Sequence, residues 1–102
     1  MVSVIMPVYN AADTLAETIE SVLSQQEVEF ELIVVDDGST DNSKEIVLKY
    51  ASEYPCLRIF SQENQGTAVA RNKAIEKANG ELIAPIDADD LWSPLKLSLI
   101  HI

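Results

Sequence analysis

A chain of 102 residues is long enough for one small domain and too short for two. Its 47% apolar and 24% charged residues are those of an ordinary globular protein. Seventeen acidic against seven basic residues give a formal charge of -10, with no Lys/Arg cluster to neutralise a phosphate backbone, which argues against nucleic acid as a partner. The single Cys56 cannot form an internal disulfide; it reads as a small apolar side chain beside Leu57 in a reducing compartment. No apolar run approaches the length of a membrane span, and Met1 leads straight into Val2-Ser3-Val4-Ile5-Met6, so a soluble, cytoplasmic chain is expected.

Val2 to Met6 is the first of four short apolar runs. Leu15, Ile19, Val22 and Leu23 follow at helical spacing, with Asp13 and Thr14 as capping candidates. The second run spans Phe30 to Val35. A second helical stripe, Ile46, Val47, Tyr50, Ala51 and Tyr54, comes after the cap-rich Ser39-Thr40-Asp41-Asn42-Ser43. Leu57 to Phe60 is the third run. Ala70, Ala74, Ile75 and Ala78 form the third stripe, which Asn79-Gly80 should stop. Leu82 to Ile86 is the fourth run. Rich in Val, Ile and Leu and mostly without strict alternation, the runs read as strands buried on both faces.

Strands alternating with helices imply right-handed crossovers and an α/β fold with a mostly parallel, Rossmann-like sheet flanked by helices. In such sheets ligands bind outside the carboxyl ends of the strands, at a switch in strand order. The loops there read Pro7-Val8-Tyr9-Asn10, Asp36-Asp37-Gly38-Ser39, Gln62-Glu63-Asn64-Gln65-Gly66 and Asp87-Ala88-Asp89-Asp90, and they hold most of the chain's unusual polar chemistry.

One Asp of the Asp36-Asp37 pair could simply cap the next helix, but two in a row leave one for a ligand such as a nucleoside. An EF-hand beginning at Asp37 fails, because Asn42 and Leu48 stand where Gly and Glu are required. A phosphatase of the haloacid-dehalogenase type fails as well, since Val35 occupies the nucleophile position. The first loop lacks a glycine fingerprint. Instead Tyr9 offers a flat ring for stacking or edge contact with a base, against the plainer reading of a half-buried tyrosine at a strand end. Gly66 opens the third helix, where free N–H groups could face phosphate. Arg71 is one of only two arginines and could equally sit on a solvated helix face.

Asp87-Ala88-Asp89-Asp90 is the strongest signal. Two unit charges about 4 Å apart repel by roughly 1 kcal/mol in water and several-fold more when partly buried. Three carboxylates in four residues beside an apolar strand therefore call for a hard divalent cation, which would also offset a nucleotide diphosphate. Such an ion stabilises charge on a departing nucleoside diphosphate.

Val4-Ile5-Met6-Pro7-Val8-Tyr9-Asn10, Ser21-Val22-Leu23-Ser24-Gln25, Val34-Val35-Asp36-Asp37-Gly38-Ser39-Thr40-Asp41, Asn64-Gln65-Gly66 with Ala70-Arg71-Asn72, and Gly80-Glu81-Leu82-Ile83 leading to Asp87-Ala88-Asp89-Asp90 together closely resemble family 2 glycosyltransferases of the GT-A fold. The resemblance implies a UDP-sugar donor, Mn2+ or Mg2+, inversion at the anomeric carbon, and a saccharide or lipid-linked acceptor in cell-envelope polysaccharide biosynthesis. By that analogy Pro7 and Tyr9 border the base, and Asp37 hydrogen-bonds the uracil. Asp87 lies near ribose and metal, Asp89 is the direct metal ligand with Asp90 beside it, and Gly66 and Arg71 help close the donor pocket. Residues 1–97 are thus expected to be the donor-binding part of a truncated GT-A domain. Residues 98–102, including His101, are expected to be a non-family tail, with the catalytic base beyond residue 102. The full-length protein is expected to be cytoplasmic or membrane-peripheral. A truncated sheet would expose an edge that self-association could cover. The alternative reading is a non-catalytic metal- or nucleotide-binding α/β module. A nucleotidyltransferase is disfavoured by its missing glycine- and basic-rich first loop.

Overall fold

A computed structural model describes residues 1–97. Four parallel strands, β1 (Val2–Val8), β2 (Phe30–Asp36), β3 (Leu57–Ser61) and β4 (Leu82–Pro85), form one sheet in the order β3-β2-β1-β4. Helices α1 (Ala12–Leu23), α2 (Ser43–Glu53) and α3 (Thr67–Lys77) supply the crossovers.

Alternate side chains of a strand face opposite sides, which divides the core in two. Val2, Val4, Met6 and Val8 of β1, with Leu32 and Val34 of β2, pack against Leu15, Ile19 and Val22 of α1 and Val47 of α2. Ile5, Ile33 and Val35 pack on the other side against Ala70 and Ala74 of α3. The small alanines bring α3 close to the sheet. Burying each large aliphatic side chain contributes about 1.5–3 kcal/mol, so the two central strands carry most of the stabilisation.

Burial on both faces holds for β1 and β2 and fails for β4, where Leu82 and Ile83 are exposed and only Ala84 is buried. Among the described residues β4 is an edge strand, with a neighbour on one side only. Ile75 faces solvent too, so the inward stripe of α3 is narrower than the spacing implied. The capping expectation at α1 is corrected: the N-cap is Ala11, and Asp13 and Thr14 lie in the first turn. Asn79-Gly80 does follow the end of α3, but Ala78 is already extended there. Gly80 is needed for another reason. A Cβ on it would stand 2.6 Å from both the Met1 carbonyl oxygen and Ser3 Oγ, so the α3–β4 connection can press against β1 only with glycine.

The amino end of the sheet is closed by Glu31. Its carboxylate accepts from Ser3 Oγ at 2.6 Å, the Asn79 N–H at 2.6 Å and Arg58 Nη2 at 3.0 Å. These bonds tie β1, β2, β3 and the α3–β4 connection together. Burial pushes the Glu31 carboxyl up, but the three donors and the Arg58 charge outweigh it and leave the group below its ordinary value.

Candidate donor site at the carboxyl end of the sheet

Strand order reverses between β1 and β4, and a cleft of about 530 Å³ opens at the carboxyl ends of those strands. Pro7, Tyr9 and Asp37 lie along it, as do Asp87 and Asp89. Loops far apart in sequence thus converge on one cavity. Asp90 and Arg71 are brought instead to a smaller adjoining hollow of about 270 Å³, which Asp87 also lines. Gly66 lines neither cavity.

Tyr9 ends β1 with its ring half out in solvent, free to meet a planar ligand. Asp37, one residue beyond β2, is by contrast buried. Its Oδ1 accepts from Gln62 Nε2 and the Gln65 N–H, each at 2.8 Å, and its Oδ2 accepts from the Gly66 N–H at 3.0 Å. A carboxylate has about four acceptor sites, so these bonds leave one, on Oδ2. Burial raises the Asp37 carboxyl, yet the three donors more than offset this and hold it below its ordinary 3.8. Gly66 makes its bond from φ +101°, a backbone state open essentially to glycine alone. Its N–H is therefore spent on Asp37, and the role the structure gives Gly66 is to seat α3 against that carboxylate.

Asp36 is buried as well. Its Oδ2 accepts from the Ser39 N–H at 3.2 Å, a bond within the loop and not a cap of α2, whose N-cap is Asn42, so the capping expectation is corrected; Oδ1 has no hydrogen-bond partner among the described residues. The pair divides: Asp36 shapes its own loop, and Asp37 holds the neighbouring one.

The amino terminus of α1 also points toward the cleft, but its first N–H groups are occupied. The Ala11 N–H donates to Ser43 Oγ at 2.9 Å and the Ala12 N–H to Asp41 Oδ2 at 3.2 Å. A carboxylate at that position opposes an incoming phosphate.

One oxygen from each of Asp87, Asp89 and Asp90 can be brought within 4.8 Å of the others, and all three residues are exposed. The turn is braced by the Asp90 N–H donating to the Asp87 carbonyl at 3.0 Å and the Asp87 N–H donating to Asp90 Oδ2 at 3.2 Å. Arg71 Nη2 lies 3.3 Å from Asp87 Oδ1, the only ion pair at the turn among the described residues. The Asp89 carboxylate has no hydrogen bond among the described residues, and Asp87 and Asp90 each retain an oxygen outside these contacts. A hard divalent ion favours such an all-oxygen donor set and would complete its shell with water or phosphate oxygens. The residues present fit that ion.

Several residues that hold the turn carry no local sequence signal. Thr14 and Thr18 of α1 donate their hydroxyls to the Ala88 carbonyl at 3.0 and 2.9 Å. Gln25, also buried, donates Nε2 to the Ser93 carbonyl at 2.6 Å and accepts the Leu97 N–H at 2.9 Å. These partners lie about seventy residues away along the chain. An uncharged hydroxyl or amide at helical spacing resembles any solvated position. Cys56 is partly buried, and burial pushes its thiol up, consistent with the inert reading. His101 lies outside the described residues.

Among the described residues no helix is long and apolar enough to cross a membrane. The model for Glycosyl transferase family 2 matches residues 3–100. The uncharacterized glycosyltransferase YibD of Escherichia coli (strain K12) is 49% identical over 88 residues, covering 86% of this chain and 26% of YibD. Staphylococcus aureus TarS, solved in complex with UDP, superposes with a TM-score of 0.90 at 35% identity over 98% of this chain and 30% of that one. The mannosyltransferase PcManGT of Pyrobaculum calidifontis, solved with GDP-Man and Mn2+, gives 0.85 at 35% identity over 96% of this chain and 30% of that one. The chain thus spans about a third or less of each of these proteins. A parallel sheet of the GT-A kind, a cleft at its switch point and a family match over nearly its whole length agree: the chain belongs to glycosyltransferase family 2.

Proposed function

We propose that this chain is the donor-binding part of an inverting glycosyltransferase. It would hold a nucleotide-sugar, in the first instance a UDP-sugar, for transfer to an acceptor hydroxyl of a saccharide or lipid-linked substrate. The observation that carries the reading is that one cleft is lined by parts of different chemistry. Pro7, Tyr9 and the partly engaged Asp37 line it together with the exposed Asp87 and Asp89.

Each part suits a different portion of a nucleoside diphosphate. The Tyr9 ring and Pro7 offer flat apolar surface to a base, and Asp37 Oδ2 can accept one imide N–H. Asp87, Asp89 and Asp90 would hold Mn2+ or Mg2+, with Asp89 the principal ligand because its carboxylate is unengaged. Bound there, the ion would neutralise diphosphate charge and stabilise it as the leaving group. Arg71, now on Asp87, lies where it could turn to a phosphate oxygen and help close the pocket. In the transfer, the acceptor oxygen forms a bond to the anomeric carbon as the bond to diphosphate breaks on the opposite face. A general base takes the acceptor's proton, and none of the described residues is assigned that role.

The solved complexes of relatives with UDP and with GDP-Man and Mn2+ support this reading. The test is thermal unfolding with UDP and Mn2+ together and with each alone. At about 100 times the dissociation constant, UDP with Mn2+ should stabilise the folded chain by roughly 2.7 kcal/mol, well beyond the sum of the separate effects. A response to Mn2+ that ignores UDP would favour the metal-binding module instead. A stronger response to GDP would replace the uracil assignment.

A further inference from the structure

Tyr9 and Asp37 belong to different loops, and a base could meet both only if those loops keep a fixed relation. Asn10 supplies the connection. Its backbone has φ +48°, the left-handed region that Asn adopts more readily than most residues. In that conformation its side chain reaches the loop after β2. Asn10 Oδ1 accepts from the Thr40 N–H at 2.7 Å and the Asp41 N–H at 3.3 Å, while the Asn10 N–H donates to Ser39 Oγ at 3.0 Å. The exchange is reciprocal. The second loop returns Ser43 Oγ and Asp41 Oδ2 to the N–H groups of Ala11 and Ala12. One amide side chain thus satisfies N–H groups before α2, while side chains near the start of α2 satisfy those at the start of α1.

We infer that Asn10 is a positioning residue for nucleotide recognition, holding the Tyr9 loop and the Asp37 loop in one register so that both present to the base. The inference rests on the proposed nucleotide site and goes beyond it, because Asn10 acts through two neighbours. Tyr9 immediately precedes Asn10, and Asp37 lies two residues before Ser39, so slippage at this junction would separate the two groups directly. The acidic turn is braced by other side chains, Thr14 and Thr18 of α1, which donate to the Ala88 carbonyl. Loss of the Asn10 contacts should therefore weaken the base side of the site and spare the diphosphate side.

That split is the test. UDP and pyrophosphate, each with Mn2+, are titrated into wild type, Asn10→Gly and Asn10→Asp by calorimetry at about 0.15 M salt, where charges more than about 8 Å apart are largely screened. Glycine tolerates the left-handed backbone and removes only the side-chain acceptor. Asn10→Gly should bind UDP about tenfold more weakly, equivalent to 1.4 kcal/mol, and bind pyrophosphate like wild type. Asn10→Asp restores an acceptor oxygen and should recover most of the lost UDP affinity. Retained pyrophosphate binding also shows that the variant is folded. Wild-type UDP affinity in Asn10→Gly would overturn the inference, as would an equal loss of both ligands or no recovery in Asn10→Asp. Wild-type protein that binds pyrophosphate but no nucleotide would instead overturn the underlying nucleotide reading, a separate and recognisable result.

Discussion

At the amino end of the sheet Glu31 is surrounded by donors from its own fold, whereas at the carboxyl end Asp87, Asp89 and Asp90 stand exposed with a single arginine beside one of them. Asp37 stands between these extremes, engaged by three internal donors yet lining the cleft. The contrast separates carboxylates that build the fold from those whose oxygens stay exposed, which we propose serve a ligand. A buried carboxylate engaged by three donors and far from the cleft serves the structure. A cluster with free oxygens costs stability through repulsion and gains it back only with a cation.

Removing the amino-end carboxylate should have the largest effect on folding. Glu31→Ala would leave Ser3 Oγ and the Asn79 N–H without their acceptor and Arg58 with the Lys77 carbonyl but no carboxylate, and should cost about 3 kcal/mol in urea unfolding. Nucleotide affinity of the folded variant should be unchanged, because the far end of the sheet does not touch the cleft. A Glu31→Ala protein as stable as wild type would erase the contrast.

Asp37 should show the intermediate behaviour. Its carboxyl is held below its ordinary value, so the unfolded chain binds protons more tightly through that range. The stabilisation is fully present above about pH 4 and is lost as pH falls through the folded value. Asp37→Asn should flatten the acid limb of the stability profile and cost about 1–3 kcal/mol at neutral pH, because the Gln65 and Gly66 N–H groups lose a charged acceptor. An unchanged acid limb, read by circular dichroism across pH 2–7, would show that Asp37 is not bound up in the loop as described.

Which parts could be read from the sequence follows from the range of the interactions. The strands were legible because runs such as Phe30 to Val35 carry their burial in composition, and the α1 stripe of Leu15, Ile19 and Val22 is buried as its spacing requires. The convergence of Pro7, Tyr9, Asp37, Asp87 and Asp89 followed from topology alone, since parallel strands place their following loops at one end. What was not legible depends on partners distant in sequence. Nothing near Gly66 announces that its N–H serves Asp37, and nothing near Thr18 announces the Ala88 carbonyl. The exposure of Leu82 and Ile83 was hidden for the same reason, because an edge strand and a central strand can have the same composition. Glu31 and its partner Arg58 each left a trace, a single charge inside an otherwise apolar run, which is uncommon unless it is paired.

The exposed carboxylates are proposed to take their purpose from a cation shared with a nucleotide. Calorimetric titration of UDP into wild type and Asp89→Ala, with and without Mn2+, tests this most directly. Mn2+ should raise UDP affinity about tenfold or more in wild type, while Asp89→Ala, altering an exposed side chain, should leave stability within about 0.5 kcal/mol and abolish that enhancement. Equal enhancement by Mn2+ in both proteins would contradict the account.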